Sequence, residues 1–528
     1  MKTGSKITGR TQAIVKNGFY AVIFTIISYS LSFFTRKVFI LTLGSIYLGY
    51  EGLFSNIFAI LGTAEAGMVS LLYYALYKAV ANNDENEISN LMTVHKYYYF
   101  LVGMFIMIMG ILISFLLPNL ITGNSLNWRF VYKIYYMQLI STGLTYFLVY
   151  RRTLFAVAQL GYICIKVDGL CTIIATFIKI IILYLTKSFY AYLLVGLIYN
   201  IISNLIIIVL YKKRFPTIKK TRITWQYIKD HGFIKDLYNM FIGTLAGKVY
   251  ASTDSLVISK CLNINMAGLY SNYFMINIAV DALINRAIDG ISPATGNFVH
   301  TESRERIVIL YKMMNILFYF LSVFIASSFI TLFQPFIKWW LGDMFLLPYS
   351  YVIGISVNEY ISWNHYFMAV LRGTQAHFEI DKWAYTLSAI TNITLSILLS
   401  KSMGITGVVI GTIAGSLFFW IGRAYVVHKY IVDHLAFRYF CTEVLKAIFA
   451  VIQTSGIVLI TKNFPHGLAG IFMRFVALIL YYLVINFILC HILPDGKLVK
   501  VYLRDIYHKN FFRKIKSMSS QDENFVVY

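Results

Sequence analysis

Residues 189–211 read FYAYLLVGLIYNIISNLIIIVLY, more than twenty positions without a charged side chain, and Lys212-Lys213-Arg214 follows at once. A helix of ~20 apolar residues spans the hydrocarbon core of a bilayer, whereas the strands of a membrane barrel need only ~10 residues of alternating polarity. The stretch therefore predicts a transmembrane helix. Its basic end is predicted to be cytoplasmic, because cytoplasmic loops are enriched in Lys and Arg.

The composition extends this prediction to the whole chain. Of the 528 residues, 59% are apolar and 13% are charged, whereas soluble domains carry about 25% charged residues. This excludes a soluble globular protein, a disordered chain and a coiled coil. The candidate spans are 13–42, 51–78, 90–118, 128–151, 160–186, 189–212, 233–261, 267–298, 307–338, 347–371, 382–401, 405–430, 439–461 and 468–493. The sequence thus predicts an all-α, polytopic membrane protein with about fourteen transmembrane helices.

The net charge of +23 would suggest nucleic-acid binding in a soluble protein. Here most of the excess is explained by topology, so we expect no nucleic-acid partner. With the N-terminus inside, most basic residues fall on cytoplasmic loops, and the outer side keeps only a thin set: Lys187, Lys260, Lys338, Lys401 and Lys462. Both termini are therefore predicted to be cytoplasmic. The basic, aromatic tail is expected to lie on anionic membrane lipids.

An internal repeat indicates how the spans are organised. The sequence GLFSN at 52–56 recurs as GLYSN at 268–272, an offset of 216, and two weaker matches recur at nearly the same offset. A duplication of six helices would give two pseudo-symmetric lobes with parallel topology, as in transporters that rock about a central site. The predicted divisions are an N-terminal lobe (1–212), a basic cytoplasmic linker (213–232), a C-terminal lobe (233–432), two further helices (433–493) and a basic cytoplasmic tail (494–528).

Polar side chains form matching stripes on the first and seventh spans. Span one carries Thr25, Ser28, Ser32 and Arg36, and span seven carries Thr244, Lys248, Ser252, Ser255 and Ser259. Steps of three and four place each set on one helix face, and the repeat offset superimposes the two stripes. Ionisable groups at membrane depth usually face a bundle interior or a wet cavity. The stripes therefore predict a central cavity in which Arg36 and Lys248 contact an anionic substrate.

Three further cations are candidate substrate contacts. Lys179 lies within an apolar run, where it either contacts a substrate anion or snorkels to the outer interface. Arg152 and Arg372 end spans four and ten at related repeat positions. Cytoplasmic topology alone also explains a basic residue at the position of Arg152.

Acidic residues within the spans have two interpretations. Asp281 and Asp289 recur with Asn277 and Asn285 at steps of four on span eight. Such a stripe either lines the cavity or forms an interhelical hydrogen-bond seam. Asp254, Asp281, Asp289 and Glu65 are therefore candidates for ion coupling or for balancing neighbouring cations.

Motifs for catalysis, metals and cofactors were not found. The chain has no GxxxxGK[ST], HExxH or GxSxG sequence, and its five cysteines form no CxxC pair. We therefore predict that the protein is not an enzyme, holds no metal or cofactor, and forms no disulfide.

Several segments resemble one transporter family. They are RKVFILTLG at 36–44, YLG at 47–49, GLF at 52–54, AEAG at 64–67 and NNDE at 82–85 in the first half, and TDSLVIS at 253–259 and GLYSNY at 268–273 in the second. The chain resembles the polysaccharide-exporter (Wzx-type) branch of the multidrug/oligosaccharidyl-lipid/polysaccharide (MOP) flippase superfamily over nearly its whole length. The segment around Arg372 departs from the family pattern.

This resemblance implies a bacterial plasma-membrane flippase. Its substrate would be an undecaprenyl-pyrophosphate-linked oligosaccharide repeat unit for capsule or exopolysaccharide synthesis, and a polysaccharide polymerase and glycosyltransferases would be its partners. Alternating access would carry the anionic head group past Arg152 and Arg372, then Arg36 and Lys248. Alternatives are a flippase for lipid II or a teichoic acid precursor, a multidrug antiporter, and a membrane polymerase or glycosyltransferase. The outer loops are too short for the last class.

Overall fold

The computed structural model describes residues 3–224, 226–227, 233–288, 291–374, 378–432 and 436–492. Regular secondary structure in these ranges is helical throughout, and no strand occurs there. The helices are α1 (Thr3–Leu43), α2 (Ile46–Leu61), α3 (Ala66–Ala81), α4 (Glu85–Ser114), α5 (Leu117–Leu120), α6 (Trp128–Val149), α7 (Arg152–Val157), α8 (Gly161–Thr186), α9 (Phe189–Arg214), α10 (Phe233–Val257), α11 (Ile264–Ile288), α12 (Ile291–Thr301), α13 (Arg304–Trp340), α14 (Tyr349–Asn364), α15 (Tyr366–Gly373), α16 (Phe378–Met403), α17 (Ile405–Val427), α18 (Ala436–Thr461) and α19 (Leu468–Ile492).

Every one of the fourteen predicted spans falls on a helix or on two consecutive helices, which confirms the all-α membrane fold. By length and hydropathy alone, nine helices in the described part of the chain are able to cross a membrane. Some predicted spans are discontinuous within the described residues. The second is broken by a 3₁₀ turn at Gly62–Glu65, and the tenth is interrupted at His365. Such breaks free backbone polar groups where transporters build their sites.

Local sequence fixes several helix ends. The Asp84 carboxylate accepts the Glu87 amide hydrogen at 2.9 Å and so caps α4. The Asn127 side chain accepts from the Arg129 amide at 2.8 Å at the start of α6. These short polar side chains satisfy amide groups that the first helical turn leaves unpaired.

The chain forms two compact units, Met1–Ile288 and Asp289–Tyr528. Helices α1–α11 belong to the first unit and α12–α19 to the second. The predicted division into six-helix lobes remains a prediction. The predicted division assigns α10 and α11 to the C-terminal lobe, but both belong to the first unit. There α10 packs against α2 and α3, and α11 packs against α2 and α1.

The two copies of the repeat motif touch each other inside the first unit. A Cβ atom on Gly268 of α11 would lie 2.3 Å from the Ser45 carbonyl oxygen, and one on Gly49 of α2 would lie 3.2 Å from the Gly268 amide nitrogen. One turn further on, a Cβ on Gly52 would lie 3.9 Å from the Ser271 Cβ. Small residues allow membrane helices to approach this closely. The repeated glycines therefore serve a helix crossing.

The described part of the predicted linker also packs against α4. The Thr221 amide donates to the Thr93 hydroxyl at 3.1 Å, and the Tyr227 hydroxyl donates to the Glu87 carboxylate at 2.6 Å. The linker therefore follows the first turns of α4. Residue 225, residues 228–232 and the predicted tail at 494–528 lie outside the described residues.

Candidate functional site

Arg36 lies on the inner surface of the first unit, near the end of α1. One terminal nitrogen, Nη2, donates to the Ser271 carbonyl oxygen at 2.8 Å and to the Ser271 hydroxyl at 3.3 Å. The Nε atom is buried and has no hydrogen-bond partner among the described residues. A guanidinium carries five N–H donors. Arg36 therefore holds α1 to α11 and still has a buried donor available.

Lys179 turns toward the protein. Its Nζ lies 4.4 Å from the centre of the Tyr192 ring on α9, a favourable cation–π geometry. A Cβ atom on Gly196 would lie 3.5 Å from this Nζ, so the glycine leaves room for the lysine beside α9. The side chain therefore contacts protein and does not extend past the helix end, and a contact with a substrate anion stays a prediction.

Arg36 and Lys179 share their neighbours. Tyr192 and the Glu51 carboxylate of α2 lie within electrostatic range of Arg36, and Glu51 also lies within range of Lys179. We call Arg36, Glu51, Lys179, Tyr192 and Ser271 the Arg36–Lys179 cluster. It combines two cations with one carboxylate, so it carries one net positive charge.

The Arg36–Lys179 cluster lies at one end of the bundle. Each of its members is within seven residues of an end of its helix, which corresponds to ~10 Å at 1.5 Å per residue. The end is the one at which α1 passes into α2 and α8 into α9. The predicted topology places that end on the outer face of the membrane. A net positive charge at this depth is strongly attracted to anions, because the surroundings screen it poorly.

Lys248 belongs to a different group from Arg36. It is exposed on α10 and lies within electrostatic range of Glu65, whose carboxylate also interacts with the Tyr99 hydroxyl. Glu65 ends the 3₁₀ turn that breaks the second span. Among the described residues, no direct contact joins Arg36 to Lys248. Their joint role in one cavity therefore stays a prediction, while Glu65 is placed where it can balance Lys248.

Arg152 has its donors occupied within the first unit. Its guanidinium forms an ion pair with Asp168 of α8 and donates to the Asn204 and Ser203 side chains of α9, each at 3.2 Å. We call these four residues the Arg152–Asp168 cluster. It connects α7, α8 and α9, and the cation is neutralised by a carboxylate that the sequence analysis did not single out.

The remaining predicted site residues are distributed over both units. Arg372 is half-buried in the last turn of α15 and interacts with other groups of the protein. Asp254 on α10 and Asp281 on α11 are half-buried and also have interaction partners, and Asp281 acts electrostatically on Tyr29 of α1. Asp289 lies outside the described residues. The roles proposed for all four stay predictions.

The second unit contains a buried polar network that the sequence analysis missed. Glu443 on α18 is 3% exposed. Its carboxylate accepts from Lys446 at 2.8 Å and from Asn364 at 2.8 Å. His365, at the break in the tenth span, approaches the same carboxylate at 3.4 Å. A glutamate within the first turns of an apolar span was the available signal, because such a group is costly unless it has partners.

The described residues include no group of three or more His, Cys, Asp or Glu side chains arranged to hold a metal ion.

Solved structures of known proteins share this architecture, although sequence comparisons match nothing. No protein-family model matches the chain, and no curated protein matches its sequence. A structure of the lipid II flippase MurJ in an inward closed conformation matches with a TM-score of 0.68 at 15% identity, covering 92% of this chain and 99% of MurJ. The chain has the fold of the MOP superfamily transporters.

Two other members of that superfamily also match. An inward-facing multidrug resistance MATE transporter has a TM-score of 0.55 at 14% identity and covers 78% of this chain and 98% of its own. A MOP superfamily transporter from Pyrococcus furiosus has a TM-score of 0.53 at 15% identity and covers 81% of this chain and 97% of its own. The resemblance inferred from the sequence is confirmed at the level of the fold.

Proposed function

We propose that the protein is a flippase for an undecaprenyl-pyrophosphate-linked oligosaccharide, serving capsule or exopolysaccharide synthesis in a bacterial plasma membrane. The observation that carries this proposal is the Arg36–Lys179 cluster, with its net positive charge and a buried guanidinium donor that has no partner among the described residues. A pyrophosphate is a compact polyanion, and charge-assisted hydrogen bonds to such groups are the strong ones. The fold supplies a transporter framework, and the cluster supplies the chemistry for an anionic head group.

The proposed binding step uses donors that are already in place. The Arg36 guanidinium presents Nε beside Nη2, the paired geometry with which arginine grips phosphate oxygens. Lys179 adds a point charge, and the Tyr192 ring offers a flat surface on which a sugar ring can stack. Glu51 limits the positive charge of the empty site. The lipid tail remains in the bilayer while the head group crosses.

The proposed transport step changes the crossing of α2 and α11. Arg36 donates to Ser271, which lies on α11 directly opposite Gly52. A phosphate that takes these donors competes with the Ser271 carbonyl and so weakens the connection between α1 and α11. In this mechanism substrate binding at Arg36 favours separation of the repeat helices and opening at the outer end.

The other predicted residues have supporting roles in this mechanism. Arg152 and Arg372 lie near the ends that the topology assigns to the cytoplasm, where a head group would enter, and Lys248 would contact it at mid-membrane. Asp254, Asp281, Asp289 and Glu65 would balance these cations or couple transport to an ion. Both termini would be cytoplasmic, and a polymerase and glycosyltransferases would supply and consume the lipid-linked sugar.

A flippase for lipid II or a teichoic acid precursor is the second candidate. It is favoured by the extent of the match to MurJ, which covers 92% of this chain. Both candidates share an anionic lipid-linked head group, so the cluster does not discriminate between them. Multidrug antiport is less well supported, because a cluster with net positive charge repels cationic drugs.

Reconstitution tests the proposed function directly. The purified protein is placed in liposomes with one defined lipid: an undecaprenyl-pyrophosphate-linked oligosaccharide, lipid II or a neutral glycolipid. Translocation is followed as access of the head group to an external enzyme. We expect translocation of the first lipid and not of the neutral one. Translocation of lipid II alone would support the second candidate, and translocation of none would contradict both.

A further inference from the structure

The second unit contains a histidine whose tautomer is set by the backbone. The His365 Nδ1 atom lies 2.9 Å from the Ile361 carbonyl oxygen. A carbonyl oxygen accepts hydrogen bonds and cannot donate, so Nδ1 carries a hydrogen atom. In a neutral imidazole the other nitrogen, Nε2, is then an acceptor.

This acceptor faces another acceptor. Nε2 lies 3.4 Å from the Oε2 atom of Glu443, and both side chains are almost fully buried, at 5% and 3% exposed. Two lone pairs directed at each other in a poorly screened interior repel. A proton between Nε2 and Oε2 converts this contact into a charge-assisted hydrogen bond.

The side-chain amide of Asn364 can donate hydrogen bonds whether the His365 imidazole is neutral or protonated. The Asn364 Nδ2 atom lies 2.8 Å from Oε2 of Glu443 and 3.3 Å from Nε2 of His365. Its two hydrogens serve both acceptors when the imidazole is neutral. When Nε2 is protonated, one of them still serves the carboxylate. Neither state leaves Glu443 without donors, because Lys446 also holds Oε1 at 2.8 Å.

The other elements around this site contribute mainly neutral groups. The Trp420 ring of α17 lies 4.4 Å from the His365 ring, centre to centre. Tyr319, Tyr360 and Tyr439 lie within electrostatic range of Glu443. Among the described residues, the titratable, charged or polar groups near the pair include Asn315 and Tyr319 of α13, Tyr360 of α14, Asn364 before the break, His428 after α17, whose ring is tilted against Tyr439, and Tyr439 and Lys446 of α18. Among these, Lys446 is the permanent cation and Glu443 the permanent anion.

We propose that His365 and Glu443 form a binding site for one proton, which joins the break in the tenth span to the thirteenth span. Without the proton, the Glu443–Lys446 pair is neutral and the His365 contact is repulsive. With it, the imidazolium and the carboxylate attract, and α18 is held to the junction of α14 and α15. Glu443 lies on a helix outside the predicted six-helix lobes, whereas His365 lies in the predicted C-terminal lobe. It supplies the protein with a response to pH that does not depend on which head group is carried.

Imidazole ¹⁵N NMR of the protein in lipid nanodiscs tests the site without any transport assay. The chain has ten histidines, and the His365 signals are assigned as those missing from His365→Gln. We expect Nδ1 to carry a hydrogen throughout, and the Nε2 signal to change from the unprotonated to the protonated form as the pH is lowered. His95 is an internal comparison. It is fully buried and its Nε2 meets the Thr153 hydroxyl at 2.8 Å, so we expect it to stay neutral.

Two variants make the test directional. Glu443→Gln removes the facing negative charge and should lower the midpoint of Nε2 protonation relative to the wild type. Lys446→Gln removes the competing cation and should raise the midpoint. A general loosening of the unit would not move the midpoint in opposite directions. Lys446 is partly exposed, so its variant remains informative even if Glu443→Gln reduces the yield of folded protein.

Three results would overturn the proposal. They are an Nε2 that stays unprotonated at every pH at which the protein remains folded, an imidazolium that persists over the same range, and variants that leave the midpoint unchanged or shift it in the same direction. None of these results bears on translocation of lipid-linked sugars, so failure here and failure of the proposed function are separate outcomes.

Discussion

Arg36 and Arg152 are both arginines at membrane depth in the first unit, yet their surroundings differ. Arg152 is paired with a carboxylate, and its guanidinium also reaches two polar side chains of α9. Arg36 uses one terminal nitrogen on Ser271, keeps a buried Nε without a partner among the described residues, and shares its one nearby carboxylate with Lys179. The comparison teaches that a cation inside a membrane protein is a candidate binding group only when its own structure does not already satisfy it.

The largest expected effect follows from removing the cations of the Arg36–Lys179 cluster. We expect Arg36→Gln and Lys179→Gln each to reduce translocation of a pyrophosphate-linked lipid about 10- to 100-fold, because a hydrogen bond to a charged group contributes ~1.5–3 kcal/mol. Initial rates in proteoliposomes measure this. Lys401→Gln, at the exposed end of α16, is the matched control and should transport normally. Wild-type rates in both cluster variants would show that Arg36 and Lys179 do not contribute to translocation.

The second prediction concerns stability. Arg152→Gln leaves Asp168 without its cation and should lower the free energy of unfolding by about 1–3 kcal/mol. The double variant Arg152→Gln/Asp168→Asn should recover part of this loss, because no charge is then left unpaired. Denaturant titration in detergent micelles gives the four values of the cycle. Additive effects of the two substitutions would show that the Arg152–Asp168 ion pair does not itself stabilise the protein.

The third prediction tests the crossing to which Arg36 is bonded. Gly268→Ala places a Cβ atom 2.3 Å from the Ser45 carbonyl oxygen, so the helices must move apart, at a cost of about 1–3 kcal/mol. Thermal unfolding should therefore occur at a lower temperature. Gly18→Ala is the matched control, since nothing lies within 4 Å of its added Cβ, and alanine is the better helix former by ~0.5–1 kcal/mol. Equal behaviour of the two variants would argue against a tight crossing.

The smallest expected effect concerns the aromatic member of the cluster. Tyr192→Leu removes the ring that lies 4.4 Å from Lys179 and should weaken substrate binding about 2- to 5-fold, since a cation–π contact contributes ~0.5–1 kcal/mol. Tyr192→Phe keeps the ring and should be close to wild type. The measurement is the substrate concentration that gives half the maximal translocation rate. A larger effect for Phe than for Leu would show that the hydroxyl, not the ring, is the important group.

Much of the fold was predictable because hydropathy and segment length are local properties. Spans of apolar residues must satisfy their own backbone in lipid, and a helix is the structure that does so within one segment. The breaks at Gly62–Glu65 and at His365 were not predicted, because each depends on side chains that pack from other helices. The repeat motif at 52–56 and 268–272 was recognised, but the contact between its two copies was not.

The site was predicted only in part, for the same reason. Arg36 and Lys179 were identified individually as ionisable residues at membrane depth, but they were assigned to different arguments. Tyr192, Glu51 and Ser271 were not selected, since a tyrosine, a glutamate near a helix start and a serine have no distinctive local pattern. Glu443 and His365 are 78 positions apart, 443 − 365, and no sequence spacing relates them.

The sequence alone determined that this chain is a helical membrane protein with many spans, a duplicated motif and cations at membrane depth. These properties follow from composition and from periodicity along single segments. Only the tertiary structure decided which cations are neutralised and which keep free donors, because that depends on distances between residues brought together from separate helices. Arg152 and Arg36 are the same residue type and both are half-buried in the first unit, but their partners differ.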